Sequence, residues 1–92
     1  MMRQEAEKRL QKLKGWSLTD KSIEKNFKFR DFRQAVEFVN KVADAAESEN
    51  HHPDILLWSW NNVKINLTTH SAGGLSEKDF KVAEKIDNIP LS

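Results

Sequence analysis

The sequence predicts an α+β fold: a four-stranded antiparallel sheet with three helices packed on one face. Three observations carry that expectation: two amphipathic helical stripes, over residues 32–46 and 80–86, a period-two segment ahead of the longer stripe, and a pair of strand-like runs joined at Asn61-Asn62. With 92 residues, 38% hydrophobic and 32% charged, the chain can build one core and is too short for two, so residues 1–92 are read as a single domain.

The first helix is expected over residues 2–13, where Met2, Ala6, Leu10 and Leu13 recur at helical spacing among Arg, Lys, Glu and Gln. Gly15 suits its C-terminal end, and residues 16–19 can begin an extended segment before the polar Asp20-Lys21 turn. Between 23 and 29, Ile23, Phe27 and Phe29 share one parity while Glu24, Asn26 and Lys28 take the other, which predicts a strand with one buried face.

Asp31 can cap the next helix, with Gln34 three residues on as a variant of the capping box. Phe32, Ala35, Val36, Val39, Val42, Ala43 and Ala46 then form one stripe, wide enough to lie on a sheet. Phe38 falls off that stripe and is left for a subunit contact, and the helix should end within 47–50. Residues 54–60 and 63–69 read as two strands joined at Asn61-Asn62, because Asn tolerates the positive φ of tight hairpin turns. Val63, Ile65 and Leu67 alternate with Lys64, Asn66 and Thr68, so the second of these strands has one apolar face. After Ala72-Gly73-Gly74, Ser76 can cap a last helix, Leu75 and Phe80 are placed for a hydrophobic staple, Phe80, Ala83 and Ile86 make the inner face, and Pro90 ends it.

Composition narrows the chemistry. The net charge of +1 comes from 15 basic and 14 acidic residues that are interspersed, so no basic stretch marks direct nucleic-acid binding. No apolar run approaches the ~20 residues that a spanning helix needs, and residues 2–14 are charged throughout, so no membrane association and a cytoplasmic location are expected. The absence of cysteine rules out disulfides, thiolate nucleophiles and zinc-thiolate or cysteine-ligated iron–sulfur sites.

The three histidines are the chemical signal. His51 and His52 are adjacent, Pro53 follows them, and His70 comes one hairpin later. Neighbours in a regular strand point to opposite faces, but Pro53 denies the ladder a donor and favours an irregular approach to the strand. An antiparallel hairpin brings the far end of the second strand back beside Pro53 and Asp54, which gathers the histidines at one edge. Spacing alone leaves three readings open: ordinary surface histidines, acid/base catalysis, and a metal site. The metal reading is the weakest, because adjacent histidines rarely present both rings to one ion and no His-x-x-x-His pair is present. Glu47 and Asp79 are the nearest carboxylates that could orient an imidazole; each also has a plain reading, Glu47 as a solvated helix-end charge and Asp79 as a helix cap. Trp58 and Trp60 share a parity and either could border a flat ligand, although tryptophan in so small a domain is more often core.

Glu47, His51-His52-Pro53, Trp60, His70 and Asp79, together with the Asn50–Asp54, Leu67–His70 and Gly73–Phe80 segments, resemble the pterin-4a-carbinolamine dehydratase family over about residues 16–89. The resemblance implies dehydration of 4a-hydroxytetrahydropterin to quinonoid dihydropterin and water, in tetrahydropterin recycling, with no metal and no cofactor beyond the pterin, which is the substrate. It implies His51, His52 and His70 as the acid/base groups: His52 for pterin placement and proton acceptance, His51 and His70 as general acids from different sides of the ring. It further implies a pterin held by Glu47, Asn50, His51 and His52 on one side and Thr68, Thr69, His70 and Ser71 on the other, with Trp60 beside it and Pro53 and Asp79 in support. A homodimer built by extending the sheet follows from the same likeness, as does a homotetramer through the long helices. Animal relatives also serve as dimerisation cofactors of a transcription factor, so a non-catalytic interaction module is the reading of a different class, and a relative serving another pterin pathway such as molybdenum-cofactor metabolism is a third.

Overall fold

A computed structural model describes residues 1–91. Three helices and four strands follow one another as α1 (Arg3–Leu10), β1 (Ser17–Leu18), β2 (Ile23–Lys28), α2 (Phe32–Ser48), β3 (Asp54–Trp58), β4 (Asn62–Leu67) and α3 (Glu77–Asp87), with a 3-10 turn at His70–Ala72. The sheet is antiparallel throughout, in the order β1-β2-β4-β3, so β3 is a free edge. The predicted α+β architecture is the one observed.

Register sorts the side chains into two faces. Ile23 pairs with Leu67, Phe27 with Val63 and Ile55 with Ile65, and all of these except the exposed Ile55 close the core with the helices. Glu24, Asn26 and Lys28 share the other face with Asn62, Lys64 and Asn66, which no helix covers. Both caps form as predicted. Asp31 accepts from the Gln34 backbone at 2.8 Å, and Ser76 with Asp79 makes a complete capping box on α3. Gln34 reaches both ways, accepting from the Arg30 backbone at 3.0 Å and donating to the Leu91 carbonyl at 2.9 Å, which ties the C-terminal tail to α2.

Three expectations are corrected. Along α2 the buried residues are Ala35, Phe38, Val42 and Ala46, while Phe32 and Val36 are exposed. At 100° per residue the buried face is turned by roughly 50° from the centre of the predicted stripe. Phe38 is what turns it: its ring lies 4.7 Å from that of Phe27 and 4.9 Å from that of Phe29, so it is core and makes no subunit contact. The second correction is in the hairpin. β3 stops at Trp58, and the positive φ angles fall on Ser59 and Trp60 instead of the two asparagines. Asn61 is buried, because its side-chain amide donates to the Phe29 carbonyl at 2.8 Å while its own carbonyl accepts from the Phe29 backbone at 2.8 Å. That double link to the end of β2 fixes the turn one step earlier than Asn propensity alone suggests. The third is extent: α1 ends at Leu10 and β1 is only two residues long, which leaves Trp16 anchored by a side-chain bond to Asp87 at 3.0 Å.

Asn61→Ala is expected to lower unfolding stability by about 1–3 kcal/mol, since a buried carbonyl loses its donor. Ser59→Gly should raise it by up to about 1 kcal/mol by relieving a left-handed conformation; urea unfolding of both variants measures the pair of opposite shifts.

Candidate active site

The end of α2 aims the site. Asn50 takes a left-handed φ of 48° just beyond the helix, its N–H bonds to the Glu47 carbonyl at 3.1 Å, and the His51 N–H reaches back to the Ala46 carbonyl at 3.1 Å. These are the two bonds of a Schellman motif, in which asparagine is the best substitute for glycine at the left-handed position. The chain therefore reverses within two residues, and Glu47, at the last turn, comes to lie beside the residues that follow the reversal. Lys85 of α3 holds this turn from below, with its ammonium 2.6 Å from Glu49 and 2.9 Å from the Ser48 hydroxyl. The same ammonium holds the Glu49 carboxyl below its ordinary value.

His51 and His52 then diverge into two imidazole–carboxylate pairs. His51 Nε2 stands 2.6 Å from Asp79 Oδ1, and His52 Nε2 bonds Glu47 Oε2. The environments contrast: the side chains of His51 and Asp79 are 12% and 0% exposed, those of His52 and Glu47 58% and 73%. The first pair is part of the fold, and the second lies open to a ligand.

Asp79 is satisfied on both oxygens. Oδ2 accepts from the Thr69 hydroxyl at 2.8 Å and from the Ser76 N–H at 2.9 Å, while Oδ1 faces His51. The Thr69 hydroxyl proton is committed to Asp79, so the Ser76 hydroxyl donates to the Thr69 oxygen at 2.8 Å. As an acceptor-only carboxylate, Asp79 selects the His51 tautomer with its proton on Nε2, which leaves Nδ1 with a lone pair. The capping and the orienting readings of Asp79 hold together, one on each oxygen.

The other predicted residues separate into those brought to this edge and those left away from it. Residues 51–53 precede β3, so Pro53 sits in the irregular approach. Asp54 pairs with Asn66, and counting back two residues sets His52 opposite Thr68. Thr68 is bonded through its hydroxyl to the Lys21 carbonyl at 2.6 Å. Thr69 is buried, and its hydroxyl faces Asp79 and not solvent. His70 and Ser71 are exposed in the 3-10 turn, and His70 borders a cavity on the uncovered sheet face with Lys21, Ser22, Asn66 and Thr68. Trp60 is not brought to the histidines of its own chain: it stands in the turn at the opposite end of β3, 58% exposed. Trp58 is on the strand, donating to Asn26 at 2.8 Å. Sequence reading missed Ser76 as a member of the His51–Asp79–Thr69 network, and missed Lys21, Ser22 and Asn66 beside His70. A capping box opening six residues after the Thr69-His70 pair gave a signal for the first; nothing local signals the second.

The family model for pterin 4 alpha carbinolamine dehydratase matches residues 1–89. A protein of Sulfurisphaera tokodaii, provisionally named as such a dehydratase, is 49% identical over 85 residues, which cover 92% of this chain and 90% of that one. This chain belongs to the pterin-4a-carbinolamine dehydratase family. The mitochondrial pterin-4-alpha-carbinolamine dehydratase 2 of Arabidopsis thaliana is 43% identical over 95 residues, covering 99% of this chain and 51% of the plant protein. Among solved structures, a transcriptional coactivator/pterin dehydratase from Brucella melitensis superposes with a TM-score of 0.87 at 36% identity, over 94% of this chain and 93% of that one. Membership in the family agrees with the α+β fold, whose chemically equipped part is the two imidazole–carboxylate pairs.

Asp79→Ala strips the partner from Thr69, Ser76 and His51 at once and is expected to cost about 2–4 kcal/mol of stability. Asp79→Asn keeps one acceptor oxygen for the cap and should cost less, but its amide facing His51 should move the ring proton from Nε2 to Nδ1. Nitrogen-15 NMR of the imidazoles, read beside denaturation curves, checks both.

Proposed function

We propose that this chain is a hydro-lyase that removes water from 4a-hydroxytetrahydropterin, giving quinonoid dihydropterin, by acid/base catalysis at His51, His52 and His70, and so acts in tetrahydropterin recycling. The reaction breaks the C4a–O bond and the N5–H bond: one proton reaches the departing hydroxyl, one leaves N5, and the net products are the quinonoid pterin and water. It calls for no electron transfer and no metal. The observation that carries the reading is the pair of imidazoles, each with a carboxylate on Nε2 and Nδ1 left for chemistry. A carboxylate on one nitrogen stabilises the imidazolium that gives or has taken a proton on the other. In this reading the exposed His52 places the pterin and accepts the N5 proton, and His51, in its imidazolium form with a second proton on Nδ1, and His70 act as acids from the two sides, with Glu47, Asn50, Thr68 and Ser71 lining the ligand. Thr69 and Asp79 act through His51 and are positioning residues.

Generating 4a-hydroxytetrahydropterin in situ and following its loss by absorbance tests this. The wild-type chain should accelerate dehydration, and His52→Ala, His51→Ala and His70→Ala should each lose roughly 10²- to 10⁴-fold of the acceleration. Dehydration no faster than the spontaneous rate sinks the reading, and full activity in one variant removes that histidine.

We also propose a homodimer through β3. The edge strand leaves a row of backbone groups unpaired and displays Ile55, Leu56 and Trp58 at 37%, 54% and 44% exposure. In a two-fold antiparallel pairing centred on Leu56, residue 54 falls opposite 58 and residue 52 opposite 60. Trp60, at the wrong end of its own hairpin, then stands beside His52 of the second copy. Light scattering at micromolar concentration should give a dimer or a tetramer, and Leu56→Lys should yield a monomer with reduced activity; a fully active wild-type monomer overturns the assembly.

A reading of another class has its own observation. Phe32 and Val36, exposed on α2 by the rotation of the helix, with Ala43 one further step along, make an apolar stripe that the domain does not cover. It suits helix-to-helix association, whether of two dimers or of a protein partner, and the Brucella melitensis relative is described as a coactivator as well as a dehydratase. Phe32→Glu should abolish such association while leaving the dehydration rate unchanged.

A further inference from the structure

We infer that this chain favours pterins whose C6 side chain carries an anionic group, a phosphate monoester, with Lys21 as the residue that selects it. The inference rests on the dehydratase reading for the position of the ring and goes beyond it in substrate class. In a pterin, N5 is bonded to both C4a and C6. Any ring held with C4a and N5 between His52 and His70 therefore directs its C6 substituent away from one of those histidines within a bond or two.

The inference places that substituent in the cavity on the uncovered sheet face, about 340 Å³, lined by Lys21, Ser22, Asn66, Thr68, His70 and the Gly73-Gly74 pair. His70 belongs to both the reacting group and this cavity. Its lining contains no carboxylate and two basic side chains, Lys21 and His70. The remaining polar atoms are largely engaged with one another: Asn66 donates to the Ser22 hydroxyl at 2.9 Å, and Ser22 is linked to the Thr19 hydroxyl. Two acids pair with Asn66 from the neighbouring strands, Glu24, which accepts a 3.3 Å bond from Asn66, and Asp54; neither of them lines the cavity, nor does Asp20.

Lys21 is held in place by its backbone and free at its charge. Thr68, the residue set opposite His52, donates to the Lys21 carbonyl at 2.6 Å, and the Thr19–Ser22 turn is closed by a 2.8 Å backbone bond. Lys21 enters no ion pair among the described residues. A lysine fixed at the root, in no ion pair among the described residues and lining a cavity that adjoins the proposed reaction centre, is a cation suited to a phosphate ester.

The test is binding, measured by calorimetry, of 6-hydroxymethyl-7,8-dihydropterin and of its phosphate monoester. The wild-type chain should bind the ester roughly tenfold more tightly, a preference that fades in high salt. Lys21→Met should remove the preference without weakening the neutral pterin, and Lys21→Arg should restore it. Equal affinity of the wild type for the two ligands overturns the inference, as does a preference that survives in Lys21→Met. Because binding is read without turnover, a chain that discriminates the ester yet fails to accelerate dehydration would overturn the dehydratase reading and leave this one standing; a chain that dehydrates the neutral pterin and ignores the ester does the reverse.

Discussion

The buried carboxylate of Asp79 is the constraint on which the rest of this edge depends. It is fully enclosed, and a buried charge is tolerable only when its oxygens are bonded. The groups that satisfy it come from three separate stretches: the N-terminus of α3 through Ser76, the end of β4 through Thr69, and the residues after α2 through His51. One carboxylate therefore caps a helix, closes the 69–76 loop and sets an imidazole. Stability and geometry cannot be separated at that point, because every bond that pays the desolvation of Asp79 also orients a group of the site.

A second device works against this fixed point. The Schellman turn at Asn50 reverses the chain so sharply that consecutive histidines leave in different directions, one inward to Asp79 and one outward to Glu47. Two identical side chains thus acquire unlike surroundings, one enclosed and one solvated. That contrast is what an acid/base pair needs, since the same imidazole must hold a proton in one place and take one in another. Lys85, by gripping the last turn of α2 from α3, keeps the two devices in register.

The sheet divides labour between its faces and its edge. One face is spent on the core, and Phe38 with Phe27 and Phe29 decides how α2 lies on it. The other face carries Glu24, Asn26, Lys28, Lys64 and Asn66, stays uncovered and ends in the cavity beside His70. The rotation of α2 that buries Phe38 exposes Phe32 and Val36, so the packing of one aromatic cluster also creates the domain's uncovered apolar stripe.

Much of this was legible in the sequence, and for a local reason. Periods of two and 3.6 are properties of the backbone, so β2, β4, α2 and α3, with the caps at Asp31 and Ser76, could be read from residues a few positions apart. The grouping of Glu47, His51, His52, Thr69 and Asp79 was legible too, through the hairpin's return and the resemblance of the pattern. Which carboxylate serves which imidazole was not, nor the turn at Ser59-Trp60, the burial of Phe38 and Asn61, the distance of Trp60 from the histidines, or the meeting of Lys21 with His70. Each of those depends on contacts between residues far apart in the chain, where small rotations and one-residue shifts cost little locally and are decided only when helices and strands pack together.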